Sequence, residues 1–302
     1  MATVAPTKLD PKTGMTLTMT GTPDSAYDNT FDSYLLLKSD GQNHTLTLVL
    51  KIFLKQVATL WGLPMAPYAD SDGKFFWIRP WQNTAWACFR DEFKRQSLKW
   101  NDRFWLIPPL GFSKLDVKVG AYTVRPNIYC HLYVDLIGGP GGAHRTIQVV
   151  NLDKKLNSSG FRSTSRLYSS HDVEPDTYDA TDDTGRPHRV SQLTIVHEIG
   201  HALGLLHSGV GHVYPLCVAA MLVGDASILE GTGIGAVLND GKNSLACYGH
   251  YGPRSLTDNV MGYGMQFDET NAMPWRERIA LHTKTKAEDW QVSLSRVRPR
   301  AL

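Results

Sequence analysis

The segment His197–His207 is the feature of this sequence that most constrains the fold. It reads HEIGHALGLLH, with histidines at 197, 201 and 207. Residues four positions apart lie on one face of an α-helix, so the imidazoles of His197 and His201 can reach the same point. We expect Gly204 to end this helix, because glycine adopts positive φ at low cost and lets the chain turn sharply. That turn would bring His207 back towards the other two histidines.

Three imidazoles that meet at one point predict a catalytic zinc site. Catalytic zinc usually has three protein ligands and an open position for water, whereas structural zinc has four protein ligands. We therefore assign His197, His201 and His207 as the ligands of one Zn²⁺ ion. Glu198 follows the first ligand, and a carboxylate beside a metal can take a proton from water and pass it to a leaving amine. The alternative, an amphipathic helix with merely polar histidines, leaves the spacing of the motif unexplained.

The pattern HExxHxxGxxH resembles the zinc signature of the metzincin clan of metallopeptidases. Metzincins also have a Met-turn, whose methionine lies beneath the zinc, and the segment 258–264 (DNVMGYG) resembles it. The resemblance implies that Met261 is the Met-turn residue. It also implies that Tyr263 binds the metal or stabilises the oxyanion of the transition state. The Asn-x-Met-x-Tyr form is closest to the pappalysin branch, but Met-x-Tyr is also similar to astacins and serralysins, so the branch stays open.

Each part of this Met-turn has an alternative. Met221 and Met265 are rival candidates, although Met221 lies in an apolar run and Met265 lacks the Asn-x-Met-x-Tyr surround. Met261 could be an ordinary core residue, because methionine fills irregular gaps. Tyr263 could be a buried tyrosine bonded to the backbone.

The fold class that we predict is α+β, similar to a metzincin-like zincin catalytic domain. The resemblance implies a mixed twisted sheet, an active-site helix above the cleft, and an irregular, mostly helical lower subdomain with the Met-turn. We expect an N-terminal extension over residues 1–43 and a catalytic domain over 44–302. Its upper subdomain would span about 44–207 and its lower subdomain about 208–302. By the same resemblance, the stretch around 166–168 is a candidate edge strand for extended substrate.

The remaining periodicity predicts individual elements. An aromatic stripe at helical spacing favours a helix from Asn83 to about Trp100, and Ser191 is the expected cap of the zinc helix. Residues 46–63 are interpreted as a buried or amphipathic helix. A last helix is expected from about Asn271, packed against the zinc helix. Strands are predicted over 115–124, 127–137 and 146–152.

Composition excludes several classes of protein. The chain has 302 residues, 42% of them hydrophobic and 20% charged, which is typical of globular proteins. A formal net charge of +2 gives no indication of a nucleic-acid surface. The basic tail 296–300 is interpreted as a solvated end. No run of residues predicts a membrane span, and Met1–Gly21 lacks the apolar core of a signal peptide. We expect secretion or delivery outside the cytoplasm, by a leaderless route or after removal of a leader.

The cysteines and the acidic stretch 172–183 indicate function less specifically than the histidine motif does. Cys88 and Cys130 are predicted core thiols, whereas Cys217 and Cys247 could form a disulfide. The carboxylates of residues 172–183 could hold calcium, but no specific motif supports it. This stretch is interpreted as a solvated acidic loop, with a cleft-lining loop that favours basic substrates as the alternative. A second zinc site at His212 or His250 is also conceivable, but neither histidine has a paired ligand nearby in the sequence. The oligomeric state stays open.

These observations predict a zinc-dependent endopeptidase that acts on protein or peptide substrates. One alternative is a zinc amidase that cleaves a cell-wall or other non-protein amide, as a leaderless secreted effector. Another is a binding module with vestigial catalysis, against which Glu198 argues because a structural metal needs no base beside it. Residues 1–43 could also be inhibitory, with an aspartate covering the zinc; the candidates are Asp10, Asp24, Asp28 and Asp32.

Overall fold

The computed structural model describes residues 31–70, 73–153, 155–157, 160–209, 248–250 and 252–302, and the backbone of short strands before residue 21. These residues form a mixed α+β fold with one large mixed sheet and few helices. The helices are α1 (Asn83–Ser97), α2 (Thr194–Ala202), α3 (Arg254–Asp258) and α4 (Met273–Thr283), with 3₁₀ turns at Leu60–Gly62, Leu98–Trp100, Glu269–Ala272 and Ala287–Asp289. The strands are β1 (Thr3–Val4), β2 (Leu9–Asp10), β3 (Gly14–Leu17), β4 (Met19–Thr20), β5 (Asp32–Leu36), β6 (His44–Gln56), β7 (Ala66–Ala69), β8 (Phe75–Arg79), β9 (Trp105–Ile107), β10 (Val117–Val119), β11 (Tyr122–Arg125), β12 (Ile128–Leu136), β13 (Arg145–Leu152), β14 (Leu167–Ser169), β15 (Asp176–Thr181), β16 (Pro187–Gln192), β17 (Gln291–Ser293) and β18 (Arg300–Ala301).

The long strand β6 organises the main sheet. The strand order is β17-β9-β12-β6-β13-β8-β7, with β5 paired to β6 and β14 paired to β13. β6 runs parallel to β12 on one side, whereas on the other side it is antiparallel to β5 and then parallel to β13. The predicted α+β class and mixed sheet are confirmed at this level of detail.

The helix predicted over residues 46–63 is wrong, because most of this stretch is strand β6. Its buried side chains occur at every second position, which is the period of a strand and not of a helix. The buried residues of β6 include Leu46, Leu48, Leu50, Ile52 and Leu54. The threonines and lysines between them lie on the less buried face, so alternation and not mean hydropathy decided the structure.

The sheet begins before residue 44. β5 pairs with β6 over Asp32–Leu36, and Phe31 and Leu35 are buried in the main core. This strand lies within the stretch that the sequence analysis assigned to an N-terminal extension. The last residues of that stretch therefore contribute to the core, together with α4, which packs against β5 and β6.

Helix α1 confirms the predicted aromatic stripe. It spans Asn83–Ser97 and continues as a 3₁₀ turn to Trp100, with Phe89, Phe93 and Trp100 buried. The expectation that Cys88 is a core thiol is wrong, because its side chain points away from the stripe and is exposed. Cys130 on β12 is buried, as predicted.

Three other segments differ from their predictions. Residues 115–124 contain two strands, β10 and β11, because Gly120 has a φ of +61° and turns the chain into a hairpin. Half of the acidic stretch 172–183 is strand β15, which pairs with β16 along its whole length. The basic tail is tied down by its backbone: β18 pairs with β11, and Asn43 and Asn127 donate hydrogen bonds to carbonyls of the tail.

Helix α4 bears out the predicted C-terminal helix, but it packs against the main sheet. The indole of Trp275 is buried and donates a hydrogen bond to the carbonyl of His131 on β12.

Within the described residues, no helix is long and apolar enough to cross a membrane. The predictions for Cys217, Cys247, Met221, His212, Asp24 and Asp28 fall outside the described residues.

Candidate metal centre

Helix α2 is buried over its full length and runs through the core of the protein. It begins at Thr194, directly after β16, and ends at Ala202. Ile195, Val196 and Ile199 pack into the hydrophobic core. The predicted capping role of Ser191 is wrong, because that residue is still part of β16, and Leu193 occupies the cap position without a side-chain hydrogen bond. The start of this helix is therefore stabilised by tertiary packing and not by a polar cap.

The chain turns away from the helix at the predicted glycine, two residues after Ala202. Gly204 has a φ of +91°, a conformation that other residues adopt only at a cost. The amide of Leu205 then donates to the carbonyl of Gly200 at 3.0 Å, which satisfies one of the last carbonyls of the helix. This turn directs the chain back, so His207 joins the two histidines of the helix.

The three predicted ligands converge on one point. The Nε2 atom of His201 lies 3.1 Å from Nε2 of His197 and 2.9 Å from Nε2 of His207. All three rings are buried, and one nitrogen of each lies within 4.8 Å of those of the others. Nitrogens bound to one tetrahedral zinc at about 2.0–2.1 Å would lie roughly 3.3 Å apart. The triad therefore has the dimensions of a metal site, and these side chains could hold a metal ion.

The hydrogen bonds behind two of these rings show why a cation fits between them. Nδ1 of His197 lies 2.8 Å from the carbonyl of Val260, and Nδ1 of His201 lies 2.8 Å from the carbonyl of Leu205. A carbonyl only accepts, and at His197 it lies closer to Nδ1 than the side-chain amide nitrogen of Gln192 does, 2.8 Å against 3.0 Å. We therefore assign the proton to each Nδ1 and a lone pair to each Nε2. Two lone pairs 3.1 Å apart repel each other. A metal ion between them removes that repulsion.

Burial keeps the triad in the form that binds metal. It lowers the pKa of His197 to about 3 and that of His201 to about 4, and it also lowers the pKa of His207. The rings are therefore neutral at physiological pH, and neutral imidazole is the form that ligates metal ions.

The predicted Met-turn lies directly beneath α2. Met261 is buried, and a Cβ atom added to Gly200 would collide with its sulfur atom. The turn is closed by Asn259, whose side chain accepts from the amide of Met261 at 2.8 Å and whose carbonyl accepts from the amide of Gly262 at 2.8 Å. The amide of Ser208 donates to the carbonyl of Met261 at 3.0 Å, which joins the turn to the segment that carries the third histidine.

Glu198 lies in the wall of a cavity next to the triad. The cavity has a volume of about 720 Å³, and His197, Glu198, Gln192 and Tyr263 line it. Burial, and after it the negative charge of Asp172, raises the pKa of Glu198 to about 8. A cation held by the neighbouring histidines would oppose this shift and favour the carboxylate.

The acidic stretch forms another wall of the same cavity, as the cleft-lining alternative expected. Asp172, Glu174 and Asp176 all line it. Asp172 is buried and accepts hydrogen bonds from the side chains of Ser163 and Ser169. Burial, and to a smaller extent the negative charge of Asp176, raises the pKa of Asp172 to about 6, although the hydrogen bonds from Ser163 and Ser169 oppose the rise. The solvated-loop interpretation is therefore wrong for Asp172, because this carboxyl faces the site and not bulk water.

Three tyrosines form a stack that reaches the triad. The ring of Tyr263 stacks between Tyr178 at 4.7 Å and Tyr248 at 4.6 Å. Tyr248 in turn lies against His207, with 3.8 Å between ring centroids. Sequence reasoning missed Tyr248, because no motif surrounds it and only the tertiary structure brings it to the histidines.

Among the described residues, the His197–His201–His207 triad is the one group of three or more side chains with metal-binding geometry. His250, considered for a second zinc site, is buried with its ring at the edge of Tyr263, 5.3 Å between centroids. No family model matches the chain, and searches of curated proteins and of solved structures find no match for it.

Proposed function

We propose that this protein is a zinc-dependent endopeptidase of the metzincin type, with His197, His201 and His207 as the metal ligands and Glu198 as the general base. The observation that carries the proposal is the pair of Nε2 lone pairs of His197 and His201, 3.1 Å apart and each fixed by a hydrogen bond from the opposite nitrogen to a carbonyl. The adjacent carboxylate and the open cavity are what distinguish a catalytic site from a structural one.

The chemistry of the donors favours zinc. Within the part of the chain that the structure describes, the donor set is three imidazole nitrogens without a thiolate. Neutral imidazole suits zinc, which is commonly held by three histidines in catalytic sites. A structural site would present a fourth protein ligand, and the described residues contribute three.

The chain's own groups then have distinct roles in peptide hydrolysis. When bound, zinc would supply a Lewis acid that polarises the scissile carbonyl and acidifies a water molecule. The Glu198 carboxylate accepts a proton from the attacking water and delivers it to the leaving amine nitrogen. Arg145 donates to the carbonyl of Ala202 and so supports the last turn of α2, while Met261 fills the space below Gly200. Tyr263 lines the cavity and could donate a hydrogen bond to the developing oxyanion.

The position of β14 supports a peptide as the substrate. It pairs in parallel with β13, and its last residue, Ser169, lines the cavity. An extended peptide in the cleft could therefore pair with backbone beside the catalytic groups, a common mode of peptide recognition. This is the segment in which the sequence analysis placed a candidate edge strand.

The proposal is tested by zinc content and cleavage of unfolded casein for the wild type and Glu198→Gln. We expect about one zinc per chain in both proteins and chelator-sensitive cleavage in the wild type alone, because removal of a general base typically costs about 10²–10⁴-fold in rate. Equal cleavage by Glu198→Gln, or a wild type without metal, would overturn the proposal. Zinc in both proteins with cleavage of a non-protein amide but not of casein would favour the amidase alternative.

A further inference from the structure

His207 is held differently from the other two histidines of the triad. Nδ1 of His197 and Nδ1 of His201 each have a backbone carbonyl as partner, at 2.8 Å. Nδ1 of His207 is buried and has no hydrogen-bond partner among the described residues. Metal-binding histidines are normally oriented by a hydrogen bond from the nitrogen that does not bind the metal. None of the described residues gives His207 such a bond, so we looked for another contact that fixes its ring.

The contact that takes this place is the ring of Tyr248. Its centroid lies 3.8 Å from that of His207, with 35° between the ring planes. This is the shortest of the ring separations within the site, since His197 and His201 lie 5.2 Å and 4.6 Å from His207. Flat rings at this distance restrict each other to a few orientations.

The far face of Tyr248 is also supported. Tyr263 stacks on it at 4.6 Å with 7° between the planes, and Tyr178 stacks on Tyr263 at 4.7 Å. The three phenol rings therefore form a continuous support behind His207. A side chain without a flat ring at position 248 would leave a gap between Tyr263 and the histidine.

We infer that Tyr248 is a positioning residue, whose ring orients His207 for metal binding in place of the missing hydrogen bond. The inference rests on the proposed metal site. It assigns the effect to the ring and not to the hydroxyl, because the contact with His207 is between the two rings, whose planes are tilted by 35°. It also gives Tyr248 a role different from that proposed for Tyr263, whose hydroxyl would act on the oxyanion.

The test compares the zinc affinity of the wild type with that of Tyr248→Phe, Tyr248→Leu and Tyr178→Leu, by competition with a chromophoric chelator. Loss of a group that orients a ligand typically weakens metal binding by about 10–100-fold. We expect this loss in Tyr248→Leu, and affinity within about twofold of the wild type in Tyr248→Phe, which keeps the ring. Tyr178→Leu is the matched control, because it removes a ring from the same stack without touching His207.

A second readout separates positioning from general stability. Cobalt(II) bound to each protein reports its coordination through visible absorption. We expect Tyr248→Leu to change the cobalt spectrum while the thermal midpoint of the metal-free protein stays close to that of Tyr178→Leu. If Tyr248→Leu does not fold, Tyr248→Met and Tyr248→Trp give the same aliphatic-against-aromatic contrast.

The possible results are distinguishable. Wild-type affinity in Tyr248→Leu would overturn the inference and leave the proposed function intact. Equal losses in the Phe and Leu variants would also overturn it, because the hydroxyl would then be the important group. A wild type that binds no zinc would overturn the proposed function, and the inference with it.

Discussion

The floor of the candidate site, formed by α2 and the turn Asn259–Gly264, differs sharply from the wall formed by the β15–β16 hairpin. Every residue of α2 is buried, and the turn beneath it is closed by backbone and asparagine hydrogen bonds. The hairpin is largely exposed along one side, and its start contributes Asp176 to the cavity. Substitutions in the floor would therefore disturb the packed core, whereas charged residues of the wall can be substituted without disturbing it. We expect chemistry to depend on the floor, and the wall to set the charge that a substrate meets.

The largest effect is expected from a ligand in the floor. His201→Ala removes the central nitrogen of the triad, which lies within 3.1 Å of both other Nε2 atoms. Zinc affinity should fall by more than about a hundredfold, since even loss of an orienting partner costs about 10–100-fold. Peptide cleavage should be lost with the metal. The measurement is zinc content after dialysis, with His188→Ala, a histidine of the hairpin, as the control; full zinc retention by His201→Ala would contradict the assignment.

The next effect tests the boundary between floor and wall. Tyr263 belongs to the turn but lies in the cavity between two rings of the stack. If its hydroxyl donates to the oxyanion, Tyr263→Phe should lower kcat by about 10²–10³-fold with KM nearly unchanged. Steady-state kinetics on a peptide substrate measure this, and zinc content should stay at the wild-type level. A KM effect with unchanged kcat would instead place Tyr263 among the substrate-binding groups of the wall.

A third effect measures how tightly the floor is packed. In Gly200→Ala, the new methyl group would collide with the sulfur of Met261 and meet the ring of Trp100. Overpacking a rigid core costs typically about 1–3 kcal/mol, and we expect the upper end because both neighbours are buried. Urea unfolding of the metal-free protein measures the change. The same substitution at Gly185, in the turn of the hairpin, meets no atom within 4 Å and should cost only what its φ of +77° imposes.

The contrast between floor and wall also explains which parts of the site could be predicted from the sequence. The histidines of α2 and the turn at Gly204 follow from local rules, because helical spacing and a positive φ depend on neighbouring residues. Ser191 has the right chemistry for a cap, but pairing with β15 extends β16 through Gln192, so long-range pairing overrode the local preference. Strand β6 was not predicted, because the high mean hydropathy of residues 46–63 favoured a helix, whereas the alternation of buried and less buried side chains is that of a strand. Tyr248 depends on contacts with residues distant in sequence, and no local pattern indicates them.

The smallest effect that we predict concerns the charge of Asp172, which precedes β15 and lines the same cavity as the wall. Burial raises the pKa of Asp172 to about 6 in the folded protein, above its ordinary value of 3.8. Below about pH 4 the carboxyl is protonated in both the folded and unfolded states, so it makes no pH-dependent contribution. Between about pH 4 and 6 the unfolded chain releases the proton and the folded chain keeps it, so stability falls as pH rises. Above pH 6 the cost is constant at about 3 kcal/mol, since the pKa rises from 3.8 to about 6.

Asp172→Asn removes this titration while keeping an oxygen that can accept from Ser163 and Ser169. The stability of this variant relative to the wild type should therefore rise between about pH 4 and 6 and then level off. Urea unfolding of the metal-free proteins across this range measures the difference, and Asp179→Asn, at an exposed position of β15, is the matched control. A difference that does not change with pH would mean that Asp172 titrates as in water, and the wall would then be solvated like an ordinary acidic surface. A rise confined to Asp172→Asn would show that this carboxyl faces a desolvated cavity, where its charge can act on a bound substrate.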